Sequence, residues 1–330
     1  MIIVKTPYRI SFFGGGTDYP KWYRRNKGAV ISTTINKYSY LVIRELLDLH
    51  KFNYLIRYYK REEVKKVVDI KHPVVREAIK LLKIKDKLDI THHGDLPART
   101  GMGTSSCFTV GLLHGLSAHK GHFLSKKELA LMALKLEQNT LKEPVGSQDQ
   151  VAAAFGGFNK IDFGNNGREF ICKPMNLESR RIEELKKWIQ LFYTRKTRDS
   201  SKVAAEKINN ISLNKKKLNS LYEIVQEAEE VLYDKSPNSI YKFGELMHKQ
   251  WLIKKKLANS VSNKILDNYY ETGIANGAIG GKILGAGGGG FLLFITPPKK
   301  HRSVLKSLNL SQVSINFDCN GSEVVYNIDD

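Results

Sequence analysis

Three glycine-rich stretches constrain this chain more than any other feature. They are PYRISFFGGGTDYP from Pro7, LPARTGMGTSSCFTVGLLHGL from Leu96 and KILGAGGGGFLLFI from Lys282. Glycine loses more backbone entropy on folding than other residues, so such clusters mark places where the backbone turns left-handed or approaches something closely. The middle stretch says most. Gly101 and Gly103 are followed by Thr104, Ser105 and Ser106, and then by an apolar run that reads as a helix over Phe108 to Leu116. Glycines let the backbone approach a ligand, and a helix start offers unpaired N–H groups and the positive end of its dipole. Together they suit phosphate. An ordinary N-cap is the plainer alternative, but a cap needs one hydroxyl where this loop supplies three.

Two familiar nucleotide motifs are excluded. GxxxxGK[ST] does not occur. Gly285, Gly287 and Gly290 form a formal GxGxxG, but a dinucleotide fingerprint needs a helix next and an acidic residue ~20 positions on. FLLFI follows instead, and Lys306 to Leu310 holds no acid. The stretch is expected to be a strand, a glycine turn and a second strand.

The rest of the first half reads as mixed strands and helices. Ile2 to Lys5 and Ile10 to Phe13 are expected as short strands interrupted by Pro7. Ala29 to Thr34 and Tyr38 to Arg44 are expected as a pair joined across Asn36-Lys37, and Asn53 to Tyr59 as another strand. Pro73 opens a helix, Leu88 to His92 is a strand, and Ser125 to Glu128 is a capping box for a helix through about Leu141. Gly164 to Arg168 is a turn between strands. From Glu178 the chain becomes Lys-rich, with amphipathic helices over Lys215 to Leu232 and Tyr241 to Lys256. The run Lys254-Lys255-Lys256 reads as a solvated helix end. A boundary falls near 180–187, dividing 1–185 from 186–330; a chain of 330 residues suits two domains of ~150 each.

Two carboxylates stand out between the loops. Glu137 shares a helix face with Ala130, Ala133, Leu134 and Leu141, where a carboxylate needs a partner. Mg²⁺ and a basic side chain suit it equally. Asp149 lies in EPVGSQDQ, before an Ala-rich segment, where a helix cap is the plainer role.

Charge and sulfur narrow the class. There are 53 Lys and Arg against 33 Asp and Glu, a net charge of +20, which suits an anionic partner such as nucleic acid, a membrane surface or a phosphorylated small molecule. No aromatic-interleaved basic stripe points to nucleic acid. No apolar run reaches the ~18 residues of a membrane span, and the first residues lack a signal-peptide pattern. Cys107, Cys172 and Cys319 are widely spaced, without CxxC or zinc spacing, and fit reduced thiols in the cytoplasm. Adjacent His92 and His93 would point to opposite faces of a strand, a poor metal site.

Order and content of the three stretches resemble the GHMP kinase superfamily. Pro97-x-x-x-Gly101-Met102-Gly103-Thr104-Ser105-Ser106 is similar to its phosphate loop, and Gly285 to Gly290 to its GAGxGG motif. Arg9, Gly14, Thr17, Asp18 and Tyr19 resemble the galactokinase-like opening. Within the superfamily, RISFFGGGTDYP, HHGDLPARTGMGTSS, EPVGSQDQVAAAFGGFN and GAIGGKILGAGGGGFLLF look like the kinases of D-glycero-D-manno-heptose 7-phosphate. Galactokinases carry an acidic residue and His before TDY, where this chain has Gly15 and Gly16, so galactose itself is not implied.

The resemblance implies an α+β, two-domain GHMP kinase fold, with an N-terminal ribosomal S5-like α/β domain, a C-terminal ferredoxin-like domain and the active site between them. It implies ATP as co-substrate, its phosphates on Gly101, Gly103, Thr104, Ser105 and Ser106, with Mg²⁺ on Ser105 and Glu137. Asp149 would take the proton from the sugar hydroxyl, and Arg9 would assist it. Asp18, Thr17, Gly287, Gly288 and Gly289 would shape the acceptor pocket. An acceptor that already carries a phosphate needs cations; Arg99, Lys173, Arg195, Arg198 and Lys282 are the candidates, Arg198 first. The implied reaction is ATP-dependent phosphorylation of the anomeric hydroxyl, to heptose 1,7-bisphosphate. A kinase for a free hexose, or a basic nucleic-acid binder, are the alternatives.

Overall fold

The computed structural model describes residues 1–98, 100–165, 168–196 and 200–327. In chain order come β1 (Ile2–Phe13), α1 (Pro20–Tyr23), β2 (Gly28–Glu45), β3 (Tyr54–Arg57), β4 (Arg61–Val64), α2 (Pro73–Leu82), β5 (Leu88–Gly94), α3 (Thr104–His119) and α4 (Lys126–Leu134). Then follow α5 (Gln148–Phe155), β6 (Phe158–Asn165), β7 (Arg168–Pro174), α6 (Ser179–Trp188), β8 (Ile189–Tyr193), α7 (Ser200–Asn209), α8 (Lys215–Tyr233) and α9 (Ser239–Lys254). The chain ends with α10 (Lys264–Ala275), β9 (Gly280–Ile283), β10 (Phe291–Ile295), α11 (His301–Leu308), β11 (Ser311–Gln312), β12 (Phe317–Asp318) and β13 (Glu323–Asn327).

These strands make two sheets. The larger runs β13-β1-β2-β5-β3-β4, with β6 and β12 also on β2 and β7 beyond β6; the smaller is antiparallel, β11-β8-β10-β9. The larger sheet does not stop where the sequence reading divides the chain. β12 and β13, inside the expected 186–330 unit, pair with β2 and β1. One apolar core includes Phe12 and Ile31 of the larger sheet, Leu191 and Leu293 of the smaller, and Leu221 and Phe243 of α8 and α9. Among the described residues, no helix is long and apolar enough to cross a membrane.

Two local expectations are corrected. Pro7 does not break β1, which runs continuously from Ile2 to Phe13. β13 pairs only with Ile2 to Lys5, so at Pro7 the missing N–H faces no partner strand on that side, and the register against β2 shifts between Pro7 and Arg9. Proline is tolerated at such edges and bulges. Nor is there a turn at Asn36-Lys37. The two expected strands are successive halves of β2, whose 18 residues pair with β1 along almost all their length. Asn36 is bonded on both its N–H and its side-chain oxygen to Asn316, which holds it extended.

Other expectations hold. The Ser125–Glu128 capping box is formed in both directions. Pro73 is the first residue of α2. The last glycine stretch is a turn between β9 and β10, so its GxGxxG spacing is no dinucleotide site. The helix begun at Lys126 does reach Thr140, but its last turns, Lys135–Thr140, are π-helical. Such turns are rare and recur at functional sites, and Glu137 lies in this one.

Candidate active site

The three glycine stretches converge. A Cβ at Gly101 would lie 2.5 Å from the Leu284 carbonyl oxygen, one at Gly285 2.5 Å from Gly101 Cα, and one at Gly290 2.1 Å from the Thr100 oxygen. The middle and last stretches therefore lie backbone against backbone, tied by Phe291 N–H donating to Thr100 O at 3.2 Å. At these positions any side chain would force the loops apart.

Next to this junction the amino terminus of α3 opens on a cleft. Gly103, at φ +74°, is its N-cap and no side chain caps it. The ordinary-cap alternative is thus not what the hydroxyls do. Gly101, Gly103, Thr104, Ser105 and Ser106 all line the cleft, as does Arg9. Helix amides left open beside hydroxyls make an anion site.

Arg9 is 1% exposed and holds the far wall. Its Nε donates to Asp149 Oδ1 at 2.7 Å, its Nη2 lies 2.6 Å from the same oxygen, and its Nη1 donates to Gly101 O at 2.8 Å. One guanidinium thus fixes the carboxylate against the Gly101–Ser106 loop. Oδ2 of Asp149 faces Gly103, where a Cβ would come within 3.5 Å of it.

Asp18 lines the same cleft. Gly16 N–H donates to its Oδ1 at 2.8 Å and Gln148 Nε2 to its Oδ2 at 3.1 Å. Burial, and then the charge of Asp149, push the Asp18 carboxyl above the usual carboxylate range.

Glu137 sits behind the Gly101–Ser106 loop, 2% exposed. Its Oε2 accepts from Ser106 Oγ at 3.1 Å and from Gln150 Nε2. Its Oε1 is buried and has no donor at hydrogen-bonding distance and angle among the described residues. Thr109 lies nearby, but its hydroxyl donates to Ser105 O. Burial raises the Glu137 carboxyl to about 7. An underpaired buried carboxylate beside a hydroxyl and an anion site has a donor set that fits Mg²⁺, a hard cation that takes oxygen ligands. The basic partner that was the alternative does not appear among its hydrogen bonds.

Several expected site residues are placed elsewhere. Ser105 was expected beside Glu137, but successive helical residues are ~100° apart. Ser105 is exposed and lines the cleft, and Ser106 meets the carboxylate. Thr17 is fully buried, its hydroxyl bonded to the backbone of Ala29, so it anchors the loop rather than lining the cleft. Gly287, Gly288 and Gly289 pack on other backbone. Gly288 N–H donates to Val261 O at 2.6 Å, and Cβ atoms at Gly287 and Gly289 would meet Val261 O and Lys196 O. Gly285 and Ala286 line the cleft instead.

The expected cations fare similarly. Lys173 pairs with Asp162 at 2.9 Å, and Arg195 reaches Ser311 on the surface. Lys282 is wholly buried, donating to Ser11 O and Phe12 O at 2.9 and 3.0 Å. Arg99 and Arg198 lie outside the described residues. Two lysines that sequence reasoning missed do line the cleft, Lys207 and Lys254. Lys254 is not a solvated helix end but 2% exposed. The missed signal was periodicity: Phe243, Met247, Gln250 and Lys254 continue one buried stripe of α9.

Behind the cleft an aromatic cluster packs on α3. One turn beyond Thr104 on α3, Phe108 meets His72 and His92 at ring-centroid distances of 4.8 and 5.0 Å, and His72 meets Tyr58 at 4.9 Å. The Nδ1 of His72 is buried without a partner among the described residues.

The chain is similar to known proteins over most of its length. Residues 67–157 match the model for the GHMP kinases N terminal domain, and 217–309 that for the GHMP kinases C terminal. The chain is 30% identical over 323 residues to the D-glycero-alpha-D-manno-heptose 7-phosphate kinase of Campylobacter jejuni, covering 94% of each. It is 25% identical to the galactokinase of Thermococcus kodakarensis, covering 91% of each. In fold it is similar to a D-glycero-D-manno-heptose 1-phosphate kinase from Bacteroides thetaiotaomicron, with a TM-score of 0.81 at 23% identity over the whole of both chains. It also resembles the phosphomevalonate kinase of Streptococcus pneumoniae, with a TM-score of 0.75 at 14% identity, covering 96% of this chain and all of the other.

Proposed function

This chain belongs to the GHMP kinases, and we propose that it transfers the γ-phosphoryl group of ATP to the anomeric hydroxyl of D-glycero-D-manno-heptose 7-phosphate, giving the 1,7-bisphosphate. The observation that carries this reading is the convergence in one cleft of an uncapped helix amino terminus, the Arg9–Asp149 pair and the Asp18 loop. The named heptose phosphate kinase, matched over 94% of both chains, supports the choice of sugar.

Phosphoryl transfer needs positioning and charge neutralisation more than covalent chemistry. The α3 amides with Thr104 and Ser105 receive the phosphates. Asp149 Oδ2 takes the proton of the acceptor hydroxyl as that oxygen bonds to the γ-phosphorus and the bond to the ADP oxygen breaks. Arg9 keeps Asp149 in place through Oδ1. Asp18 orients sugar hydroxyls. Mg²⁺ would be held by Glu137 and Ser106; when bound it neutralises phosphate oxygens. The three cysteines are free thiols, in keeping with a cytoplasmic setting, where the product would feed nucleotide-activated heptose for surface polysaccharide.

The test is ADP release with heptose 7-phosphate and with free hexoses, the product located by phosphorus NMR. Turnover on free hexose alone overturns the choice of acceptor. Asp149→Asn should lower kcat by about 100-fold or more, the usual weight of a general base. Near-normal turnover would remove that role.

A further inference from the structure

We propose that Lys254 and Lys207 receive the phosphate the acceptor already carries, so that the cleft selects a phosphorylated sugar by charge. This rests on the sugar phosphate reading above. Both lysines line the cleft and both are buried, at 2% and 5% exposure. Lys254 Nζ donates to Gly285 O at 3.0 Å, and Lys207 Nζ to the next carbonyl, Ala286 O, also at 3.0 Å. Two ammonium groups are therefore held on adjacent carbonyls of the glycine turn. A phosphate dianion that reaches both would gain charge-assisted hydrogen bonds in a shielded site.

The surroundings leave room for such a dianion. A Cβ at Gly15 would stand 3.5 Å from Lys254 Nζ and 3.7 Å from Gln148 Nε2, so glycine there keeps the approach to the lysine open. α7 presents Ser201, Ala204 and Lys207 to the cleft at helical spacing, which brings its first turn to the same wall. Arg9, which also lines the cleft, holds Asp149 and Gly101 O. The cleft thus has two anion sites, the α3 amino terminus for ATP and the lysine pair for the acceptor.

The experiment uses the full chain and three substrates: ATP, heptose 7-phosphate and the same heptose without phosphate. Lys254→Met and Lys207→Met should each raise KM for heptose 7-phosphate by about 10- to 100-fold, the loss expected for a charge-assisted hydrogen bond. KM for ATP should stay within about threefold, and the preference for the phosphorylated sugar should fall by a similar 10- to 100-fold. Lys254→Arg should restore part of it. Inorganic phosphate should compete with heptose 7-phosphate on the parent enzyme, and this competition should weaken in Lys207→Met, a readout that stands if Lys254→Met does not fold. Equal losses on both sugars, a loss borne by ATP, or unchanged competition by phosphate would overturn the inference. A parent enzyme that turns over no phosphorylated sugar would overturn the reading beneath it instead.

Discussion

Glu137 sits in an environment at odds with its charge. Burial holds its carboxyl at about 7, against an ordinary value near 4.5. A carboxyl raised on folding binds more protons in the folded state, so its contribution to stability is full below about 4.5 and lost as pH rises through about 7. Metal-free protein should therefore lose denaturant resistance between pH 5 and pH 8, and Glu137→Gln should lose less. Mg²⁺ should restore resistance at pH 8 in the parent and not in the variant. Denaturation midpoints at the two pH values, with and without Mg²⁺, check this; an identical pH response in both proteins would refute it. That Glu137 needed a partner was legible from its apolar helical face. That Ser106 rather than Ser105 meets it was not, because two adjacent hydroxyls differ only in which way the first turn of α3 faces.

At the scale of elements, the interlocked glycine loops are the feature to test. Gly101 and Gly121 share nearly the same left-handed backbone, φ +80° and +71°, but a Cβ at Gly101 meets Leu284 O at 2.5 Å, whereas one at Gly121 meets nothing within 4 Å. Both alanine variants carry the same backbone strain, roughly 1 kcal/mol, and only one must displace backbone. Gly101→Ala should lower the melting midpoint several degrees more than Gly121→Ala, and only Gly101→Ala should impair turnover. Equal shifts would mean that the two loops yield easily. Glycine content announced these loops in the sequence, yet which glycines face a ligand and which face other backbone depended on the partner strand. Gly287 to Gly289 were expected in the pocket and instead pack on residues 196 and 261. Pro7 and Asn36-Lys37 misled for a related reason: turn chemistry is a local preference, and the long β1–β2 pairing overrides it.

For the whole molecule, the cleft wall at Gly15 and Gly16 depends on contacts between distant parts of the chain. Gln250 of α9 accepts from Gly14 N–H at 2.6 Å and donates to Phe12 O at 2.8 Å, and Lys282 of β9 donates to Ser11 O and Phe12 O. These bonds fasten the Gly14–Asp18 loop to the later half of the chain. Gln250→Leu leaves the buried Gly14 N–H without a partner, at about 1–3 kcal/mol, while Phe12 O keeps the Lys282 donor. It should lower stability on urea titration and raise KM for the acceptor more than for ATP. An unchanged KM for the acceptor would show that the loop holds its shape unaided. The sequence by itself determined what is local: where the backbone turns left-handed, the capping box, and the glycine and hydroxyl run that leads into α3 as an anion site. Each follows from the φ preference or hydrogen-bonding reach of a few consecutive residues. Only the tertiary structure decided which cations face the cleft, setting Lys207 and Lys254 there and Lys173, Arg195 and Lys282 elsewhere. All five carry the same charge in the sequence; which of them meets a substrate depends on how α7, α9 and the two sheets pack, and that is fixed by contacts hundreds of residues apart.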